Sequence, residues 1–192
     1  MANGTLKVEN IQTSSGSGTI TLGQSGETIT VPTGVTVGGL MSNTPAFQSF
    51  NNGTTTQSIP HSTWTEINIF DNEALDTDNC FNTSNGRFTP NVAGKYFLNA
   101  SVFCVNGIAA GFNSIAIVKN GSVNLNTTNE LAYITRLATG DSELRVSGFL
   151  SMNGSTDYVS VFVNQQVGAT LTFGGNSAAS TFYFSGYKLI GA

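Results

Sequence analysis

Residues 19–37 read TITLGQSGETITVPTGVTV, three short runs in which every second residue is apolar. Ile20 and Leu22 make the first, Ile29 and Val31 the second, Val35 and Val37 the third, with Gly-Gln-Ser-Gly and Pro-Thr-Gly between them. Period two puts such side chains on one face of a strand. Strands of about four or five residues cannot keep that face from water alone. The cover has to come from elsewhere, and identical copies of the same segment are its simplest source. These six residues are therefore expected to line contacts between chains, in a stem spanning residues 1–42.

The rest of the chain is patterned for strands as well. Asn-Gly pairs, whose residues tolerate the positive φ of tight hairpins, occur in it at Asn52, Asn85, Asn106, Asn120 and Asn153. Between the turn signals lie strand candidates at 46–50, 65–70, 86–89, 94–105, 114–119, 131–137, 143–151, 157–164, 169–173 and 181–190. Helical periodicity is nearly absent. Strands spaced by roughly ten residues with turns between them predict an all-β sandwich or jelly roll over residues 43–192.

Some of these strands are apolar on both faces. Val159, Val161 and Val163 alternate with Tyr158 and Phe162, and Phe182, Phe184 and Ile190 oppose Tyr183, Tyr187 and Leu189. A sandwich strand ordinarily has one wet face. With no helices predicted to cover the second face, another subunit is expected there. The closing strand contributes Phe184, Tyr187 and Leu189 to the candidate contact set.

Charge narrows the function. Charged residues are 9% of the 192-residue chain, against about 25% in ordinary proteins, so the polar surface is mostly Asn, Thr, Ser and Gly. Such a surface responds little to salt, which suits a particle exposed to an uncontrolled medium. A net charge of -4 with seven scattered basic residues excludes the clustered cations that nucleic acid requires. No apolar run approaches the roughly 18 residues of a membrane span. The amino terminus is polar, without a secretion signal, so an outside role is expected to depend on release or on carriage by a particle.

Chemistry is sparse. His61 is the single histidine, with no nucleophile or orienting acid in a recognisable arrangement, and no metalloprotease, P-loop or dinucleotide motif occurs. No enzyme activity, metal or cofactor is expected. Asp71, Glu73, Asp76 and Asp78 form an acidic stretch that reads either as a solvated loop or as a calcium loop, although EF-hand spacing is not met. Cys80 and Cys104 read as a disulfide or as two packed thiols. Cys104 shares a face with Leu98, Ala100 and Val102. Trp64 reads as core or as a sugar platform. The sequons at Asn52, Asn82 and Asn99 follow from an Asn- and Thr-rich composition.

The segment FNTSNGRFTPNVAGKYFLNASV, from Phe81 to Val102, resembles the globular-head jelly roll shared by complement-type heads and tumour necrosis factor-like proteins. The likeness continues in SIAIVKNG at 114–121, SGFLSMNGSTDYVSVFV at 147–163 and STFYFSGYKL at 180–189. It implies a ten-stranded jelly roll that forms homotrimers about a hydrophobic axis, to which the closing strand contributes. The family's collagen stalk is absent, since no Gly-X-Y run exists. GTLKVEN at 4–10, with the Thr-Ile-Thr repeats after it, is similar to leaders of virion proteins of tailed phages, especially those of marine hosts.

Together these readings predict a homotrimeric phage virion protein on the particle surface. Its stem would join capsid or tail proteins, and its heads would be a fibre tip or knob that adheres to a host glycan or receptor. The loops expected to be exposed are 72–79, 106–111, 124–129 and 174–180. A capsid decoration protein that stabilises the shell at threefold positions is the alternative reading. A trimeric glycan-binding module is a further one.

Overall fold

The computed structural model describes residues 9, 11, 21, 25–30, 32–33, 43–104, 111–121, 123, 130–138, 142–175 and 181–190, with 130–138 and 142 described by their backbone alone. The chain divides into two units, Met1–Val37 and Gly38–Ala192. In the first, residues 25–26 form a turn and Ile29 is 61% exposed. Ile20, Leu22, Val31, Val35 and Val37 lie outside the described residues.

The described part of the second unit is all strand and loop, with no helix. Its strands are β1 (Ala46–Phe50), β2 (Thr56–Ile59), β3 (Thr65–Glu66), β4 (Asn72–Asp76), β5 (Phe81–Asn82), β6 (Arg87–Phe88), β7 (Gly94–Cys104), β8 (Gly111–Lys119), β9 (Glu130–Ala138), β10 (Ser142–Met152), β11 (Val159–Gln166), β12 (Leu171–Gly174) and β13 (Tyr183–Lys188). The ten candidate segments are all present. Three more strands, β2, β4 and β5, were not anticipated. β4 has no buried residue and β2 and β5 have one each, so none carries the alternation that marks a half-buried strand.

Two sheets face one another. In the first, β4, β1, β13, β7 and β10 lie side by side, and β12 meets β7 only at Phe173↔Cys104 and carries β2 on its other edge. β10 pairs with β7 along its full length, from Ser142↔Cys104 to Met152↔Gly94. In the second sheet β9, β8 and β11 are adjacent, and β3 and β6 share the far edge of β11, with β5 beyond β6. The closing strand β13 lies between β1 and β7, so both ends of this unit meet in one sheet.

The Asn-Gly pairs do less hairpin work than expected. Asn85-Gly86 does close the β5–β6 hairpin, whereas Asn153-Gly154 carries the chain from β10 in one sheet to β11 in the other. The reason is local chemistry. The Asn153 side-chain oxygen accepts the backbone N–H groups of Ser155, Thr156 and Asp157 at 2.9–3.0 Å, which stabilises a tight reversal whatever follows it. Gly154 sits at φ +70, and a Cβ there would lie 2.2 Å from the Ala93 nitrogen. Only glycine fits that approach.

Between the sheets the core is unusually aromatic. Phe47 stacks on Phe88 of the opposite sheet with ring centroids 4.2 Å apart and on Phe81 at 5.1 Å, and it meets Phe184 edge-on at 4.9 Å. Phe70 adds contacts with Phe182 and Phe184, and Tyr96 packs on Phe88 while its hydroxyl donates to the Val92 carbonyl at 2.6 Å. Cys104 is buried on the face of Leu98, Ala100 and Val102, and Cys80 and Cys104 are not joined in a disulfide. On the outer side of the second sheet, Phe162 is covered within its own chain, in a small cluster with Ala116, Val118, Trp64 and Val123. The second face of β11 therefore needs no other subunit at this point.

Ion pairs are few. The Arg87 guanidinium grips both oxygens of Glu66 at 2.8 Å and lies 4.3 Å over the Tyr158 ring, tying β3 and β6 together across the end of β11. Burial alone would raise the Glu66 carboxyl, but the hydrogen bonds and charge of Arg87 outweigh it and hold the group below its ordinary value.

Two outcomes are expected. Phe47→Ala removes three ring contacts at a fully enclosed site and is expected to cost about 3–5 kcal/mol, read as a lower urea midpoint at unchanged slope. Because the Glu66 pKa is depressed in the fold, its contribution is complete above the ordinary carboxylate range and is lost as pH falls through the lower folded value. Urea midpoints of the wild type should therefore drop between about pH 5 and pH 3 more steeply than those of Glu66→Gln. Equal slopes would remove the pair from the account.

Candidate interaction face

The outer face of the first sheet is built by strict alternation. Inward positions on β7 are Tyr96, Leu98, Ala100, Val102 and Cys104, so Lys95, Phe97 and Asn99 point outward. β10 sends Leu144, Val146, Leu150 and Met152 inward, which leaves Arg145, Ser147, Phe149 and Ser151 outside. β13 buries Phe184 and Lys188 and turns Tyr183, Ser185 and Tyr187 out.

Register then aligns the outward residues in rows. Tyr187, Phe97 and Phe149 are direct cross-strand partners, and their rings contact one another at 5.7 Å and 5.3 Å. Phe149 is 59% exposed and Tyr187 41%. The next row is neutral and polar, with Gln48, Ser185, Asn99 and Ser147 in line. In the third, Tyr183 accepts a hydrogen bond from the Asn99 amide at 3.2 Å, and Arg145 donates to Glu143 at 2.7 Å. An aromatic band thus grades into amides and hydroxyls and ends at an ion pair. Beside the aromatic row, Lys95, Phe149, Leu150, Ser151 and Leu189 line a shallow, mainly apolar depression of about 400 Å³.

The residues proposed for chain-to-chain contact are split by this geometry. Tyr187 lies on the exposed face and Leu189 at its edge. Phe184 is fully enclosed, against Phe47, Phe70 and Phe81, and contributes to its own core instead. One-residue alternation along β13 explains the separation. Phe97 and Phe149, which complete the aromatic row with Tyr187, were not among the sequence candidates. The available signal was an aromatic residue on the polar register of each strand, between Lys95 and Asn99 and between Ser147 and Ser151.

Other candidates have structural duties. His61 forms a one-residue parallel bridge with Gln165, and its Nδ1 accepts the Gly168 N–H at 3.0 Å, so it ties two loops together. The acidic stretch is the edge strand β4 and the turn after it, not a loop throughout. Asp76 accepts the backbone N–H groups of Cys80 and Phe81 at 3.0 and 2.7 Å, while Asp71 bonds Thr55 and Asn72. Among the described residues no three His, Cys, Asp or Glu side chains converge as a metal site would require. Burial, with Asp76 and Asp78 nearby, pushes the Cys80 thiol up, so it stays protonated. Trp64 packs on the small cluster of the second sheet. Loops 106–110 and 124–129 lie outside the described residues, as do 176–180.

No protein-family model matches the chain, and no curated protein does. Among solved structures it is similar to murine APRIL at pH 8.0, with 13% identity and a TM-score of 0.53 over 75% of this chain and 98% of that one. It is similar to the PRD1 vertex protein P5, with 12% identity and a TM-score of 0.53 over 77% of this chain and 99% of that one. The globular domain of zebrafish complement 1qA protein also matches, at 16% identity and a TM-score of 0.45 over 76% and 97%. At such identities the likeness is one of fold. Residues from about β1 to β13 share an all-β, jelly-roll-like fold with these structures, the fold class that the sequence motifs implied.

Proposed function

We propose that this chain is a virion surface protein that works as a homotrimer, with the outer face of the first sheet as the contact between copies. The observation that carries the reading is the aligned row Tyr187–Phe97–Phe149. Three aromatic rings held side by side on an open sheet are costly to leave in water, and a neighbouring copy would remove them from it. The rows beside them supply amides and hydroxyls that can pair without burying unpaired charge. The likeness to a PRD1 vertex protein supports a place on a particle.

Residues 1–42 are the attachment stem in this reading, joining the head to capsid or tail proteins. The head is presented outward as a fibre tip or knob. Three identical heads multiply weak contacts with a repetitive host surface, so adhesion needs no strong single site.

The contact is tested by Phe149→Asp, which places a charge in the middle of the aromatic row. Light scattering is expected to show trimers for the wild type and monomers for the variant, with unchanged circular dichroism. A wild-type monomer would sink the assembly, and a trimeric variant would move the contact elsewhere. Deleting residues 1–42 is expected to leave a folded trimer that no longer joins particles, measured by its recovery with sedimented virions. Undiminished recovery would take attachment away from the stem.

A further inference from the structure

On the side of the sandwich away from β10, the edge strand β4 of the first sheet and the edge strand β5 of the second leave a groove of about 480 Å³. Glu73 lines it from β4, Asn79 and Cys80 from the connection to β5, Phe81 and Asn82 from β5 itself, Thr83 from the β5–β6 turn, and Thr89 from the start of the segment after β6. We propose that this groove binds a neutral, hydroxyl-rich ligand, a saccharide of one or two rings.

The walls are fixed before any ligand arrives. Asp76 holds the turn through Cys80 and Phe81, the Thr89 N–H donates to the Cys80 carbonyl at 2.8 Å, and the Gly86 N–H donates to the Asn82 carbonyl at 2.8 Å. Asn79 sits at φ 55, a conformation that the turn imposes and asparagine tolerates. Pre-organisation of this kind lowers the entropy cost of binding.

The side chains, by contrast, are unspent. Among the described residues no hydrogen bond or ion pair engages the Glu73 carboxylate, the Asn79 amide or the Thr83 and Thr89 hydroxyls, and Asn82 uses only its oxygen, towards Ser84. One carboxylate accepting from two hydroxyls, flanked by amides and hydroxyls that donate and accept, is the set that vicinal hydroxyls satisfy. No cation lines the groove, so phosphorylated, sulfated or carboxylated ligands would meet Glu73 unopposed. An added peptide strand fits less well. β5 is two residues long and β4 carries a register shift against β1, which leaves little regular edge for a peptide to extend.

The site stands apart from the trimer contact and can be tested independently of it. Full-length ¹⁵N-labelled protein would be titrated with galactose, glucose, mannose and N-acetylglucosamine up to tens of millimolar. At least one sugar is expected to shift the amide signals of Asn79, Asn82, Thr83 and Thr89 saturably. Glu73→Gln, isosteric and at an exposed position, should weaken that sugar about tenfold or more, and Thr89→Val should weaken it as well, both with unchanged thermal stability. Silence of these signals towards all four sugars overturns the proposal, as does undiminished binding by Glu73→Gln. Shifts produced only by an extended peptide would make the groove a strand-addition site instead. A monomeric protein that still binds sugar would refute the assembly and leave this site intact.

Discussion

Phe47 meets Phe81 and Phe88 of the opposite sheet face to face and Phe184 of its own sheet edge-on, so one ring joins four strands. Two of those strands, β1 and β13, lie at opposite ends of the unit's sequence. Each such ring pair adds about 0.5–1.5 kcal/mol beyond the area it buries. The sandwich closes only when its first and last strands pair, and no local segment can bury this cluster alone. Contacts so distant in sequence must be assembled against loop-closure entropy, which makes folding slow compared with that of a helical chain.

The closure also fixes what the outside of the first sheet looks like. Once Phe184 and Tyr96 are inside, pleating forces Tyr187 and Phe97 outward at the matching positions, and the full-length β7–β10 ladder brings Phe149 beside them. The aromatic row is thus a consequence of register. Sliding β10 by one residue would bury Phe149 and expose Leu150, and the core that Leu144, Val146 and Leu150 complete would be lost.

Most of the architecture was readable because it rests on alternation. β7, β8, β10, β11 and β13 each show an apolar face in the sequence, and their bounds fall close to the segments expected. β4 was read as an acidic loop, since an edge strand buries nothing and leaves no period to see. Phe184 was placed on an interface because two apolar faces in one strand cannot be ranked without knowing the opposing sheet. Phe97 and Phe149 carried a signal, an aromatic residue among polar ones, that becomes meaningful only when cross-strand register shows them aligned. One wall of the groove between β4 and β5 lay in the acidic stretch and the exposed loop 72–79, but the sequence did not show that Asn82, Thr83 and Thr89 would face it. The groove exists because Asp76, the Thr89–Cys80 bond and the Asn85-Gly86 turn fold residues 76–89 back on themselves beside β4.

Scarcity of charge links the two surfaces. A head with so few ionisable groups cannot recognise partners over long range by its field, so contact chemistry has to do so at close quarters. In the proposed reading, aromatic area would do this on one face, and amide, hydroxyl and a single carboxylate would do it in the groove. β1, β13 and β7 separate β4 from β10 across the sheet, so the aromatic row and the groove occupy different flanks. Phe97 and Phe149 lie on the β10 side of the sheet, and Glu73 lies on the opposite edge strand. In the proposed reading assembly and recognition would not compete for the same residues, and three copies would present three grooves.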